Sequence, residues 1–270
     1  MNEPESAAND FYRQSMELLL EAQVPFLLGG AYALCVYTGI ARHTKDCDIF
    51  VRQADFENAL EVFRRAGYRA ENSFPHWLGK AFRGDKSIDI IFSSGNGICP
   101  VDELWFERAP KAEVFGLTTW LSPPEEMIWM KAFIMERERY DGADVAHLLL
   151  HCAPQLDWDH LLRRFGENWH VLLSHLILFG YIYPTEQARI PERVFGELLG
   201  RRAQPDTAGA DPPLCRGPLL SRTQFLPDVR DGSFRDPRLQ PGSGMSPADV
   251  ESWTAAVGPD EQPHLVVPKD

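Results

Sequence analysis

Apolar and polar positions along this chain switch between two periods, and each switch marks an element. Residues 9–23 place Phe11, Met16, Leu18, Leu19 and Leu20 mostly at helical spacing, with Val24 just beyond and Asp10 as a cap. Pro25 stops that helix, and residues 26–28 read as a short buried strand. Gly29-Gly30 then turns the chain into a helix over residues 31–40. A second strand covers residues 46–51. Residues 54–66 form a helix with Phe56, Leu60 and Phe63 on one face and Gly67 as its stop. Two further strands, 81–83 and 87–93, are joined by the turn Gly84-Asp85-Lys86.

Residues 96–110 have the turn chemistry of a loop, and 114–121 read as one more strand. Ser122-Pro123-Pro124-Glu125-Glu126 is a strong helix start, with a capping serine, prolines in the first turn and acids at the positive end of the dipole. From there to about residue 202 the pattern is helical. Tyr140-Asp141-Gly142-Ala143-Asp144 breaks it and caps a new helix through residue 150, and Pro154, Pro184 and Pro191 divide the rest. Beyond residue 202 the composition shifts to Pro, Gly, Asp and Ser. The expected organisation is an α/β domain over 1–121, a helical domain over 122–202, and an irregular, partly ordered Pro/Gly-rich extension over 203–270 that wraps the body in places. There is no internal repeat.

Bulk composition narrows the classes. A 44% apolar, 24% charged chain of 270 residues is that of an ordinary globular protein with ample core. A formal charge of −12 disfavours a nucleic-acid partner, since binding to phosphate backbones calls for a basic surface. Five cysteines without C-x-x-C spacing point to reduced thiols and a cytoplasmic setting. The first residues lack the basic flank and apolar core of a signal peptide, and no apolar run is long enough to span a bilayer, so no membrane is expected. Oligomeric state is not legible.

The candidate chemistry is acidic. In a strand, Asp46 and Asp48 share a face while Cys47 and Ile49 take the other. Two acids about 7 Å apart on one strand face can share divalent cations. Asp89, within Ile88-Asp89-Ile90-Ile91-Phe92, is a carboxylate among apolar neighbours, costly to bury unless something positive meets it. Were the two strands neighbours, three acids would converge and would need cations to stay together. The glycine pair lets the backbone approach a ligand closely, and the helix start after it favours an anion. By itself each feature has an ordinary reading: a solvated acid pair, an edge-strand residue, a strand-to-helix turn. Their combination is the specific signal.

Other polar clusters carry less. His147 and His151 stand one helical turn apart, but Leu148-Leu149-Leu150 fills the interval without the glutamate of a zinc-protease motif. Ser93-Ser94-Gly95-Asn96-Gly97 lacks the lysine and spacing of a P-loop. Trp120, Trp129, Trp158 and Trp169 read as core, with one of them available to stack on a base.

The string Gly29-Gly30, Arg42-x-Thr44-x-Asp46-x-Asp48-Ile49, and Asp89 within Ile88-Asp89-Ile90 resembles the nucleotidyltransferase superfamily typified by DNA polymerase β. Within it, the chain is most similar to the small bacterial branch of antibiotic nucleotidyltransferases and abortive-infection toxins. Lys131 in Met130-Lys131-Ala132, and the segment from Arg137 to Asp144, extend the likeness over roughly residues 20–150. Two positions depart from the pattern. Cys47 replaces a larger aliphatic residue, and Tyr140 stands where toxin-like members carry a lysine, which points away from that branch.

The resemblance implies a nucleotidyltransferase-type mixed sheet flanked by helices, and a transferase acting by two-metal nucleotidyl transfer. Asp46, Asp48 and Asp89 would be the catalytic, metal-binding acids, holding two Mg²⁺ ions (or Mn²⁺). Asp89 would also take the acceptor proton. Gly29 and Gly30 would receive phosphate oxygens of an NTP such as ATP, with Arg42, Thr44 and Lys131 as further phosphate contacts. The favoured transfer is of adenylate to a hydroxyl of a small-molecule acceptor, releasing pyrophosphate. A toxin-like enzyme acting on RNA or protein, and a non-catalytic nucleotide-binding protein of the same fold, are the alternatives.

Overall fold

The computed structural model describes residues 3–42, 44, 46–202 and 212–256, and divides into two units. The first comprises Met1–Gly95 and Cys99–Met127, and the second Asn96–Ile98 and Ile128–Asp270. Residues 203–211 and 257–270 of the extension, and His43 and Lys45 of the acidic motif, lie outside the described residues.

In the first unit, α1 (Glu3–Glu21), β1 (Leu27–Leu28), α2 (Gly30–Thr38), β2 (Asp46–Phe50) and α3 (Gln53–Arg65) precede an antiparallel run of β3 (Arg69–Phe74), β4 (Leu78–Arg83) and β5 (Lys86–Ile91). The five strands form one mixed sheet in the order β1-β2-β5-β4-β3, with only β2 and β5 parallel. Alternation sorts its faces. Cys47, Ile49, Ala81, Ile88 and Ile90 all turn inward and are fully buried. Gly79, on the same face, lies against the Phe56 ring of α3. The amphipathic spacing of α3 buries Phe56, Leu60 and Phe63 there. Tyr68 gathers the helices at this face, stacking on Phe11 and lying 5.4 Å from the Phe63 ring.

Three elements differ from the sequence expectation. β3 is an additional edge strand; its Arg-Ala-Glu-Asn-Ser-Phe lacks apolar alternation because it is largely exposed. The expected loop over 96–110 contains α4 (Glu103–Glu107), capped by Asp102, whose carboxylate accepts from the Leu104 amide at 3.1 Å. This short helix buries Trp105 against Phe50 at 5.2 Å. The single strand expected over 114–121 is a hairpin of β6 (Lys111–Val114) and β7 (Leu117–Trp120). Its two-residue turn sets Phe115 and Gly116 at φ +54° and +74°, as the tight hairpin twist demands. Phe115 is held in that conformation by ring contacts with Tyr12 and Tyr32.

The division between units falls within α5 (Pro124–Ala132). The second unit is helical: α6 (Gly142–Cys152), α7 (Trp158–Phe165), α8 (Trp169–Ile182) and α9 (Glu192–Arg202). Leu148, Leu161, Leu172, Leu176, Phe179 and Val194 form its core, and Phe133 stacks on Phe165 at 5.8 Å. The extension is more regular than its composition suggests. It carries α10 (Leu226–Arg230) and α11 (Pro247–Ala255), the latter opened by a capping box between Ser246 and Asp249. It is tied back to the body of its unit by Glu136, which accepts from the Ser221 hydroxyl at 2.8 Å and from the Arg222 amide. Among the described residues no helix is long and apolar enough to cross a membrane.

Arg238 is a buried cation of the extension. Its guanidinium is buried and grips the Asp236 carboxylate with Nε at 3.0 Å and Nη2 at 2.7 Å. Removing one member of such a pair strands a charge away from water, which costs about 3–5 kcal/mol. Asp236→Ala is therefore expected to lower the unfolding free energy by about that amount in urea titration, while the exposed pair Arg193–Asp159 is expected to contribute less than about 1 kcal/mol.

Candidate active site

The parallel pairing of β2 with β5 is in register: Asp46 lies opposite Ser87, and Asp48 opposite Asp89. The three acids thus share the sheet face that α3 does not cover. Antiparallel pairing of β5 with β4 continues the row from Asp89 to Lys80, and β4 with β3 continues it to Glu71. One row across four strands reads Asp48, Asp89, Lys80, Glu71. The next reads Asp46, Ser87, Phe82, Arg69.

Each acid has a defined surrounding. Asp46 accepts from the Ser87 hydroxyl at 2.9 Å. Thr44 secures the start of β2, its hydroxyl donating to the Asp46 carbonyl at 2.9 Å and accepting from the Asp46 amide at 3.3 Å. Asp89 is met by Lys80, whose Nζ donates to both carboxylate oxygens at 2.9 and 3.0 Å. Burial pushes the Asp89 carboxyl up to about 6; Lys80 opposes that shift, and Asp48 and Asp46 reinforce it. On the Lys80 side burial works against the charge, but the bond to Asp89 and the fields of Asp89, Asp46 and Asp48 raise its value overall. Cys47, on the opposite face, has its thiol pushed well above the usual range by burial and then by the neighbouring acids, which keeps it a core residue.

The glycine pair has an internal reason as well as an expected external one. Gly29 N–H donates to the Asp48 carbonyl at 2.9 Å, extending the β1–β2 ladder by one bond. A Cβ on Gly29 would sit 2.1 Å from the Phe50 ring, and one on Gly30, at φ +56°, would sit 1.8 Å from Asp48 Oδ2. The glycines let the Asp48 carboxylate lie directly over the first turn of α2, which has no side-chain cap at Gly29.

Behind that turn stands Ser122. Its amide donates to the Leu28 carbonyl at 2.9 Å, and its carbonyl accepts from the Tyr37 hydroxyl at 2.9 Å. It is not the side-chain cap of α5 that the sequence suggests: its hydroxyl is buried, without a partner, 3.0 Å from where a Gly29 Cβ would be.

The other expected contacts are distributed more widely. Arg42 is exposed between α2 and β2. Lys131 belongs to the second unit, where its Nζ donates to Asp141 at 2.9 Å and Asp144 at 2.7 Å. Asp141 precedes α6 but does not cap it; its carboxylate is taken by Lys131 and by Arg139. Trp129 and Trp158 are core, whereas Trp120 is 45% exposed. Lys80 and Ser87 are what sequence reasoning missed. Lys80 fell outside the expected strand 81–83, which in fact begins three residues earlier at Leu78; a strand begun even one residue earlier would have put Lys80 on the acid face by alternation.

A divalent cation is the group these donors imply. Among the described residues no three His, Cys, Asp or Glu side chains already close around one point. The donor set nonetheless suits a hard cation. The carboxylates share one face, and a cation, the Lys80 ammonium, is already bound by both oxygens of the third.

A sequence profile of the family described as uncharacterised nucleotidyltransferase matches residues 14–176, which contain the glycine turn, all three acids, Lys80 and Lys131. The chain belongs to that nucleotidyltransferase family. A search of curated proteins gives no match. Among solved structures, the nucleotidyltransferase is similar to the antibiotic-resistance factor ANT(2'')-Ia (15% identity, 65% of this chain and 98% of that one, TM-score 0.44). It is also similar to the lincosamide antibiotic adenylyltransferase LnuA (15% identity, 52% and 94%, TM-score 0.38) and to JHP933 from Helicobacter pylori (14% identity, 75% and 97%, TM-score 0.41).

Two outcomes follow from this geometry for the metal-free nucleotidyltransferase. A carboxyl whose folded-state value is about 6 rather than the ordinary 3.8 takes up a proton on folding between those limits. Its contribution to stability is fully present below about pH 4 and is lost as pH rises through 6. The unfolding free energy of wild type relative to Asp89→Asn should therefore fall from pH 4 to pH 6 and then level off, as followed by denaturant titration. Second, Gly30→Ala should cost more stability than Gly84→Ala. Both glycines have positive φ, which costs an L-residue about 1–2 kcal/mol, but only Gly30 also faces a carboxylate, while Gly84 faces open space. Thermal unfolding of the two variants compares them directly.

Proposed function

We propose that this nucleotidyltransferase moves a nucleoside monophosphate, adenylate by preference, from an NTP to a hydroxyl of a small-molecule acceptor with the help of divalent metal. The observation that carries the reading is the in-register placement of Asp48 beside Asp89, with Asp46 two residues along the same face and the α2 N-terminus against Asp48. Asp46 and Asp48 would hold Mg²⁺, with Asp89 completing the set. When bound, the metal would neutralise the triphosphate and stabilise the departing pyrophosphate. The uncapped first turn of α2 presents backbone amides to phosphate oxygens. Asp89, beside Asp48 in the same row, would also take the proton released by the acceptor hydroxyl. Arg42 is assigned to a further phosphate contact, and Thr44 to the strand start on which Asp46 depends. The formal charge of −12 supports a small acceptor over a nucleic acid.

Purified protein incubated with each of ATP, CTP, GTP and UTP, Mg²⁺ and a panel of hydroxyl acceptors should release pyrophosphate, fastest with ATP. Asp46→Asn and Asp89→Asn should each reduce that release by about 10²-fold or more, since each removes a charge that acts on the transition state. Turnover at the wild-type rate in both variants would sink the assignment of these acids.

A further inference from the structure

Lys80 is the feature of the acid face that the proposed function leaves unused. It projects from β4 between two acids in its own row, Asp89 on β5 and Glu71 on β3. Its ammonium is turned wholly to Asp89, whose two oxygens it occupies, and its side chain is about one-quarter exposed. Glu71, on its other flank, is exposed.

We infer that Lys80 is a positioning residue that serves as the resident counter-cation of Asp89, gives up that carboxylate when divalent metal enters, and moves toward Glu71. The inference rests on the reading of Asp89 as a metal ligand. Three arguments carry it. Acids brought together on one sheet face repel, and Asp89, flanked by Asp48 in its row and only 13% exposed, needs a cation beside it in the metal-free protein. The two carboxylate oxygens that Lys80 occupies are the oxygens a hard cation requires, so ammonium and metal compete for one ligand. The competition stays shallow because the displaced ammonium has a second acid one strand away, about 5 Å, in the same row. A lysine suits this exchange better than an arginine, being a flexible point charge rather than a fixed fork.

The test is Mn²⁺ affinity of the full-length, metal-free protein without nucleotide, read by electron paramagnetic resonance or calorimetry. Lys80→Met should bind Mn²⁺ about tenfold more tightly than wild type, a difference of one decade in Kd. Lys86→Met removes the same charge from β5 without touching Asp89 and should shift the affinity by less than about twofold. If Lys80→Met does not fold, Glu71→Gln supplies an independent reading: it should weaken Mn²⁺ binding a few-fold, and more than the equal charge change in Asp85→Asn. Where both Lys80 and Glu71 variants fold, the Glu71→Gln effect should vanish in the Lys80→Met background. Binding by Lys80→Met no tighter than by Lys86→Met, or by Glu71→Gln no weaker than by Asp85→Asn, overturns the inference. Asp48→Asn separates the two levels. Loss of Mn²⁺ binding there with an unaltered Lys80→Met refutes the role of Lys80 alone, whereas retained binding in Asp48→Asn refutes the metal reading and this inference with it.

Discussion

The register of the one parallel strand pair is the constraint on which the first unit turns. Sliding β5 by one residue against β2 would place Asp89 on the helix-covered face and Ile88 or Ile90 toward solvent, so burial of the isoleucines and alignment of the acids are one choice. Hydrophobic burial therefore enforces an arrangement that electrostatics opposes. Fully burying a side chain such as Ile88 or Ile90 contributes about 1.5–3 kcal/mol, and several such residues on one face outweigh the repulsion among half-screened carboxylates on the other. The sheet tolerates its acids because its other face is so well packed.

What keeps rows of that acid face open is equally local. Towards the C-terminal end of β2, Phe50 is covered by Trp105, and α4 is tied down by Arg52, which bonds Glu103 and stacks on Phe106. The rows of Asp48 and Asp46 carry Lys80, Ser87, Phe82, Arg69 and Glu71, side chains that meet the acids or reach solvent. A carboxyl lifted to about 6 and a buried serine hydroxyl without a partner are small costs in stability concentrated around one turn.

Much of this was legible in the sequence, and the losses have physical causes. The nucleotidyltransferase resemblance, carried by the glycine pair, Asp46, Asp48 and Asp89, is borne out by the family match, and so is the mixed sheet flanked by helices that it implies; the periods of 2 and 3.6 in β2 and α3 made those elements legible. β3 was not legible because an exposed edge strand has no apolar face to announce it. The β6–β7 hairpin read as one strand because Phe115 stands where Asn or Asp would have signalled the turn. Ser122 matched a cap by composition, yet its backbone is held by Leu28 and Tyr37, so tertiary bonds set its orientation. In the extension, Pro and Gly suggested irregularity, while Ser246-Pro247-x-Asp249 was a capping box in plain view. The pairing of Lys80 with Asp89 needed strand adjacency, which periodicity does not supply.

The glycine pair shows how one local pattern can answer two demands. Read alone, it invited a ligand-centred explanation, in which absent side chains leave space for phosphate. In the structure the space is already used: Gly30 lies under the Asp48 carboxylate and Gly29 under Phe50. The positive end of α2 and the carboxylate of β2 are thereby held against one another, an attraction that fixes Asp48 before any ligand arrives. A phosphate approaching the same helix turn would find an acid beside it and be repelled unless a cation lay between them. On the proposed function, the close approach that the glycines permit would itself make the chemistry depend on metal, and would couple the helix turn and the acid pair into one site.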